Sequence, residues 1–157
     1  MAIVSFGFTG TRLGMTDVQR LKMMTILGQH EGEFHHGDCV GSDAEAHDLV
    51  QSFMGRYQIH VHPPVDDTLR AWKIGQVTHP VAPYLKRNKD IVNMSDFLIA
   101  TPASKQAKGG TWHAINYAMS IGKHFLIILP DGEEGHSKFI PDKTNKGPNI
   151  INLGRLG

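Results

Sequence analysis

The sequence lacks what several classes of protein need. It has a single cysteine, Cys39, among its 157 residues, so no internal disulfide can form. No apolar run approaches the roughly 20 residues that a helix needs to cross a bilayer. The opening residues, MAIVSFGFTG, lack the basic start and the long apolar stretch of a signal peptide. We therefore expect a cytoplasmic protein with no membrane partner.

A strong charge of either sign is also missing. The 16 lysines and arginines are dispersed among 15 aspartates and glutamates, which gives a formal net charge of +1. Proteins that bind nucleic acid without sequence preference usually carry a basic patch or stripe, so we do not expect a nucleic-acid partner. The 40% of hydrophobic residues is enough for one globular domain, which we predict to span residues 1–157.

Short apolar runs alternate with segments of helical spacing. The apolar runs predict five strands, and the segments between them predict helices that begin near Thr16, Ser42, Tyr84 and Thr111. The predicted strands are AIVSFGF, EFHHG, QIHVH, DFLIA and HFLIILP. The segment 131–149 has turn-forming composition and predicts a surface loop, and residues 150–153 predict a last short strand.

Two predicted helices begin with the pattern of a capping box. In this motif a Ser or Thr before the helix and a Glu or Gln three residues later exchange hydrogen bonds with each other's main chain. Thr16 with Gln19, and Ser42 with Glu45, have this spacing. At the other end of the fourth helix, Gly122 is a natural residue to terminate it.

The alternation of strands and helices predicts an α/β fold. Strands joined by helical crossovers run parallel, so we expect a doubly wound, mainly parallel, Rossmann-like sheet with helices on both faces. In such sheets ligands bind outside the carboxyl ends of the strands. Three glycine-containing segments follow predicted strands there: TGTRLGMT, GDCVGSDAE and TPASKQAKGGT.

These three segments have the composition of an anion site. Glycine lets the main chain approach a ligand closely, and free N–H groups at a helix start favour a phosphate. One glycine-rich turn is more often only a turn, but three at one edge of a sheet favour binding. The predicted ligand residues from the first two segments are Gly10, Thr11, Arg12, Gly37, Asp38, Gly41, Ser42 and Asp43.

The run RNKDIVNMSDFLIATP, followed by GGTWHAI, resembles the SLOG superfamily of Rossmann-like nucleotide-binding proteins. That superfamily includes the Lonely-guy phosphoribohydrolases and DprA-like proteins. Lonely-guy enzymes have an arginine nine residues before the aspartate that opens a strand, then a Pro-Gly-Gly-x-Gly-Thr-x-x-Glu motif. Arg87 has this spacing from Asp96. The resemblance adds these ligand residues: Arg87, Asn88, Thr101, Pro102, Gly109, Gly110, Thr111 and Trp112.

The resemblance implies binding more strongly than hydrolysis. Residues 103–108 separate Pro102 from the two glycines, and the position of the hydrolase glutamate falls on Ala114. By motif order the chain resembles the small bacterial or phage SLOG proteins with GGTW. We expect a nucleotide or ADP-ribose-type ligand, no required cofactor, and a homodimer as implied by the resemblance. The alternative is an N-glycosidase or phosphoribohydrolase acting on nucleoside monophosphates, with Asp38 or Asp43 in place of the glutamate.

Several other residues have two interpretations. Asp38 either contacts a ligand or stabilises its turn, and Asp43 either contacts a ligand or interacts with the helix dipole. Trp112 either stacks on a base or packs internally, and Tyr84 and Trp72 are candidates for a base pocket.

Cys39 is expected to be structural. The ten histidines are not expected to form a metal site, because neighbours such as His35 and His36 point to opposite faces of a strand.

Overall fold

A computed structural model describes residues 2–137 of the chain. The predicted strand at 150–153 and the second part of the predicted loop lie outside the described residues. Within them, no helix has the length and apolar character that would let it span a membrane. The elements are β1 (Ala2–Gly10), α1 (Asp17–Gly28), β2 (His30–His36), α2 (Ser42–Gln51), β3 (Tyr57–Val61), β4 (Val77–Thr78), α3 (Tyr84–Met94), β5 (Phe97–Thr101), α4 (Gly110–Ser120), β6 (His124–Ile128) and β7 (Glu134–His136).

The strands form one mainly parallel α/β sheet, in the order β4-β3-β2-β1-β5-β6-β7. Every neighbouring pair is parallel except β6 with β7. The chain moves outward from β1 through β2, β3 and β4, then returns to place β5 on the other side of β1. The carboxyl ends of β1 and β5 therefore flank the point where the strand order reverses.

Alternate strand residues divide between two hydrophobic clusters. In β5, Ile99 belongs to a cluster with residues of α1 and α2, whereas Leu98 and Ala100 belong to a cluster with residues of α3 and α4. Successive side chains of a strand point to opposite faces. Helices α1 and α2 therefore share a cluster with one set of alternate β5 side chains, and α3 and α4 share a cluster with the other set. Both clusters include residues of β5 and β6, whose central residues are fully buried, and the first cluster also includes residues of β1, β2 and β3.

The predicted capping boxes have different outcomes. That of α1 is confirmed, because Thr16 Oγ1 accepts from the Gln19 N–H and Gln19 Oε1 accepts from the Thr16 N–H. That of α2 is wrong, because the residue before the helix is Gly41. Ser42 Oγ donates instead to the Thr11 carbonyl at 2.6 Å, and the Glu45 carboxylate accepts from the Met15 N–H at 2.6 Å. Both side chains bind the loop after β1 to α2.

One part of the predicted loop 131–149 is also wrong. Residues Glu134–His136 form β7, antiparallel to β6, with His136 opposite Leu126. The chain turns back at Gly132, whose φ of 90° suits a tight reversal. The first residues of the predicted loop therefore form a hairpin turn at Gly132, and the edge strand β7 follows it.

Candidate functional site

A cavity of about 340 Å³ lies at the carboxyl ends of β1, β2 and β5. It is lined by residues from all three glycine-containing segments and from α3, as the position of the strand reversal predicts. The predicted ligand residues that line it are Gly10, Thr11, Arg12, Gly37, Asp43, Arg87, Asn88, Pro102, Gly109, Gly110, Thr111 and Trp112.

Four predicted residues support the cavity from outside its lining. Asp38 is fully buried, and its carboxylate accepts from Arg70 Nε at 2.7 Å and from the Lys73 N–H at 2.9 Å. Gly41 lies against the main chain of Arg12. Ser42 and Thr101 pack under Gly10, where an added Cβ would approach each of them within 2.5 Å. Composition does not show the direction of a side chain, so it could not separate these four residues from the lining residues.

The cavity contains a buried amide group with an unused donor. Asn88 is 5% exposed, and its Oδ1 accepts from Arg87 Nε at 3.1 Å. Its Nδ2 has no hydrogen-bond partner among the described residues. A buried donor without a partner costs about 1–3 kcal/mol, so it is expected to bind something polar. The Asn88 amide is the only polar group of this kind on the cavity lining within residues 2–137.

Positive charge surrounds the cavity, but its three cations differ in availability. Arg87 is buried, and its guanidinium donates to the carbonyls of Gly37 and His62 as well as to Asn88. Arg12 and Lys108 are exposed, and neither forms an ion pair with a residue in 2–137. Arg87 therefore shapes the cavity, and the other two cations remain available for an anion.

Two titratable groups on the lining are perturbed by burial. Burial raises the pKa of the Asp43 carboxyl to about 6, despite the opposing effect of the nearby Arg87 cation. Burial also raises the pKa of the Cys39 thiol, and the Asp43 charge adds to this effect. Cys39 is thus a protonated thiol at neutral pH, in agreement with the expected structural role, whereas Asp43 titrates near the pH at which a general acid or base functions.

The three aromatic residues considered for contact with a base have different positions in the structure. Tyr84 lines the cavity and lies so close to Gly110 that an added Cβ there would be 1.4 Å from its hydroxyl. Trp112 is 2% exposed, and its Nε1 donates to the Ser104 carbonyl at 3.2 Å, so it packs internally. Trp72 is 60% exposed and lies under the Arg70 guanidinium, outside the cavity.

A second cavity, of about 300 Å³, adjoins the first across Tyr84. It shares Arg12, Cys39 and Tyr84 with the first cavity and is otherwise lined mainly by apolar side chains of the segment after β3. Its further lining residues are Pro64, Val65, Asp66, Leu69 and Pro83. No glycine-rich turn marks these five residues as ligand residues, although Tyr84, a candidate for the base pocket, belongs to the same proline-bounded stretch.

Comparison of the chain with models of protein families, with curated proteins and with solved structures finds no match. The fold and site geometry therefore define an α/β protein with a mainly parallel sheet and a cavity at its strand-order reversal.

We predict that Asp43 makes stability depend on pH. Its folded-state pKa, about 6, lies above the ordinary value of 3.8, so the folded state binds this proton more tightly than the unfolded state does. This favourable contribution is complete below pH 3.8 and is lost as pH rises to 6, a change of about 3 kcal/mol.

The measurement is urea unfolding of the wild type and of Asp43→Asn between pH 4 and pH 7. The uncharged amide has no such proton to lose, so the stability of Asp43→Asn relative to wild type should increase over this range. A difference that stays constant with pH would contradict the buried position of this carboxyl.

Proposed function

We propose that the protein binds a nucleotide or ADP-ribose-type ligand, and that its fold is the doubly wound, Rossmann-like arrangement of SLOG type. The observation that carries the proposal is the unpaired Nδ2 of Asn88, buried in a cavity where three glycine-containing segments meet. A phosphate or a ribose hydroxyl satisfies this donor. The volume of the cavity is at the lower end of the range for small-molecule sites.

The phosphate is proposed to lie at the start of α4. Gly109 and Gly110 precede and begin this helix, and Gly109 has a φ of 94°, which few other residues adopt. The first N–H groups of the helix and its dipole favour an anion there. Arg12 and Lys108, both without an ion-pair partner in the described chain, add two positive charges.

The base is proposed to occupy the second cavity. Its proline, valine and leucine side chains offer an apolar surface, and Tyr84 separates it from the first cavity. Arg12 lines both cavities, and its guanidinium lies 5.6 Å from the Tyr84 ring centroid. A ligand with its phosphate in one cavity and its base in the other uses both.

The test is binding measured by calorimetry and thermal shift with nucleoside monophosphates, ADP-ribose and NAD. For the best ligand of this panel we expect Asn88→Ala to weaken binding about 10-fold and Arg12→Ala about 10- to 100-fold, from the loss of one neutral and one charged hydrogen bond. The matched control is Lys86→Ala, which removes an exposed cation paired with Asp90 on α3 and outside the cavity.

The control variant should bind as the wild type does. If no member of the panel raises the melting temperature, or if Asn88→Ala and Arg12→Ala bind as tightly as Lys86→Ala, the proposal is wrong.

The raised pKa of Asp43 favours a second candidate, an N-glycosidase or phosphoribohydrolase acting on nucleoside monophosphates. An ionised carboxylate in the cavity either activates water or stabilises positive charge that develops on the ribose. Base release would then increase as pH rises through about 6 and be lost in Asp43→Asn. Binding without base release, under conditions where the ligand saturates the protein, would exclude this candidate.

A further inference from the structure

Four histidines converge on one face of the sheet, away from the cavity lining. The parallel register places His35 of β2 opposite His60 of β3, and His62 follows at the end of β3 on the same face. His79 comes directly after β4, and its N–H donates to the Val61 carbonyl. Three neighbouring strands thus each contribute to the cluster. His35 and His62 are 2% exposed, so most of it is buried.

The hydrogen bonds orient the rings. His35 Nε2 lies 3.0 Å from Glu33 Oε1, so Nε2–H donates to this carboxylate and the lone pair of the neutral ring is on Nδ1. That Nδ1 faces Nε2 of His62 at 2.9 Å. A carboxylate that holds the outer nitrogen of a histidine, while its inner nitrogen faces a shared point, is the arrangement found around protein-bound zinc.

The ligand atoms are close enough for one cation. Single ligand atoms of His35, His62 and His79 all lie within 4.8 Å of one another. Three nitrogens that bind a tetrahedral zinc ion are separated by roughly 3.4 Å, given metal-nitrogen distances of about 2.0–2.1 Å. The 2.9 Å between His35 and His62 and the upper limit of 4.8 Å bracket this value. The three nitrogens therefore lie close enough to share one ion once the rings rotate toward it.

We propose that His35, His62 and His79 bind one divalent transition-metal ion of the zinc type, with Glu33 orienting His35. Three imidazoles and no carboxylate in the ligand set favour Zn²⁺, Co²⁺ or Ni²⁺ over Mg²⁺ and Ca²⁺, which prefer oxygen. The rings of His62 and His79 are stacked, with centroids 4.0 Å apart and an interplanar angle of 8°, so one ring must rotate before both lone pairs point at one ion. The fourth position is left for water or another ligand.

The sequence alone does not predict this histidine cluster. Adjacent histidines of one strand diverge, as expected, since His36 lies on the other face and pairs with His47 of α2. The site is instead assembled across strands, by a register that a sequence does not specify. The proposed metal site shares no residue with the lining of the nucleotide cavity, so a test of one site does not decide the other.

The experiment uses the full chain, stripped of metal with a chelator and titrated with Zn²⁺ by calorimetry. We expect one Zn²⁺ per chain, and a rise in melting temperature of roughly 5–10 °C with free Zn²⁺ at 100 times Kd. The visible absorption of bound Co²⁺ reports its coordination in a parallel titration. His79→Ala, at a half-buried position, should weaken binding at least about 10-fold.

Two further variants make the result specific. His124→Ala removes an exposed histidine on β6 and should bind Zn²⁺ as the wild type does. Glu33→Gln keeps an oxygen that accepts from His35, so binding should weaken less than in His79→Ala. Circular dichroism of each metal-free variant checks that it is folded.

Three outcomes would overturn the proposal. The first is the absence of 1:1 Zn²⁺ binding by the folded wild type. The second is equal affinity of His79→Ala and His124→Ala. The third is a loss in Glu33→Gln larger than in His79→Ala, which would assign the ion to the alternative set of Glu33, His35 and His60.

Discussion

Gly41→Ala should lower the free energy of unfolding by at least about 3 kcal/mol and the melting temperature by about 10 °C. Gly41 precedes α2 with a φ of 88° and a ψ of −128°, a conformation that other residues rarely adopt. An added Cβ would also lie 2.2 Å from the Arg12 carbonyl oxygen, which belongs to main chain and cannot rotate away. The measurement is thermal and urea unfolding, followed by circular dichroism.

Gly55→Ala is the matched control for this change. Gly55 has a similar φ of 83°, but an added Cβ would meet no atom within 4 Å. This variant carries the backbone strain without the collision, so it should lose only about 1–2 kcal/mol. Equal losses in the two variants would show that the close approach of Gly41 to Arg12 has no energetic consequence. Because the collision displaces Arg12, we also expect weaker nucleotide binding in Gly41→Ala alone.

Asp38→Ala should lower the free energy of unfolding by about 3–5 kcal/mol, the range for breaking a buried ion pair. The carboxylate of Asp38 is fully buried and binds both the Arg70 side chain and the Lys73 N–H. Its removal leaves a guanidinium that is only 14% exposed without its partner. Asp38 also has a φ of 55°, which alanine adopts less readily than aspartate or asparagine.

Two further variants separate the contributions to the loss of stability in Asp38→Ala. Asp38→Asn keeps the favourable backbone preference and an oxygen for the Lys73 N–H, so it should lose less than Asp38→Ala does. Asp48→Ala removes an exposed partner of the Lys73 side chain and should cost less than about 1 kcal/mol. If Asp38→Ala unfolds no more easily than Asp48→Ala, the Arg70 pair does not hold this loop.

Much of the fold could be predicted because local signals agreed with each other. Helix α3 begins at the predicted Tyr84, and the capping box of α1 forms as expected. The five long strands were visible as apolar runs between turns. The two shortest strands, β4 and β7, were missed, because two or three residues carry no periodicity. They pair through backbone contacts that depend on the rest of the sheet.

The cavity was partly predictable for the same reason. Strand order places the glycine-containing segments at one edge, so most of their residues line the cavity. What sequence could not show was the direction of each side chain. Asp38 and Asp43 are five positions apart, yet Asp38 forms a buried ion pair with Arg70 whereas Asp43 lines the cavity. The second cavity depends on a loop whose path is fixed only by long-range contacts, such as the Val65 N–H with the Ala82 carbonyl.

The described sheet ends in strands of two residues at β4 and three at β7. Such short edge strands present few unpaired amide and carbonyl groups. This limits the pairing of the sheet edge with a strand of a neighbouring molecule. The two edges of the described sheet are therefore poor sites for strand addition by another molecule.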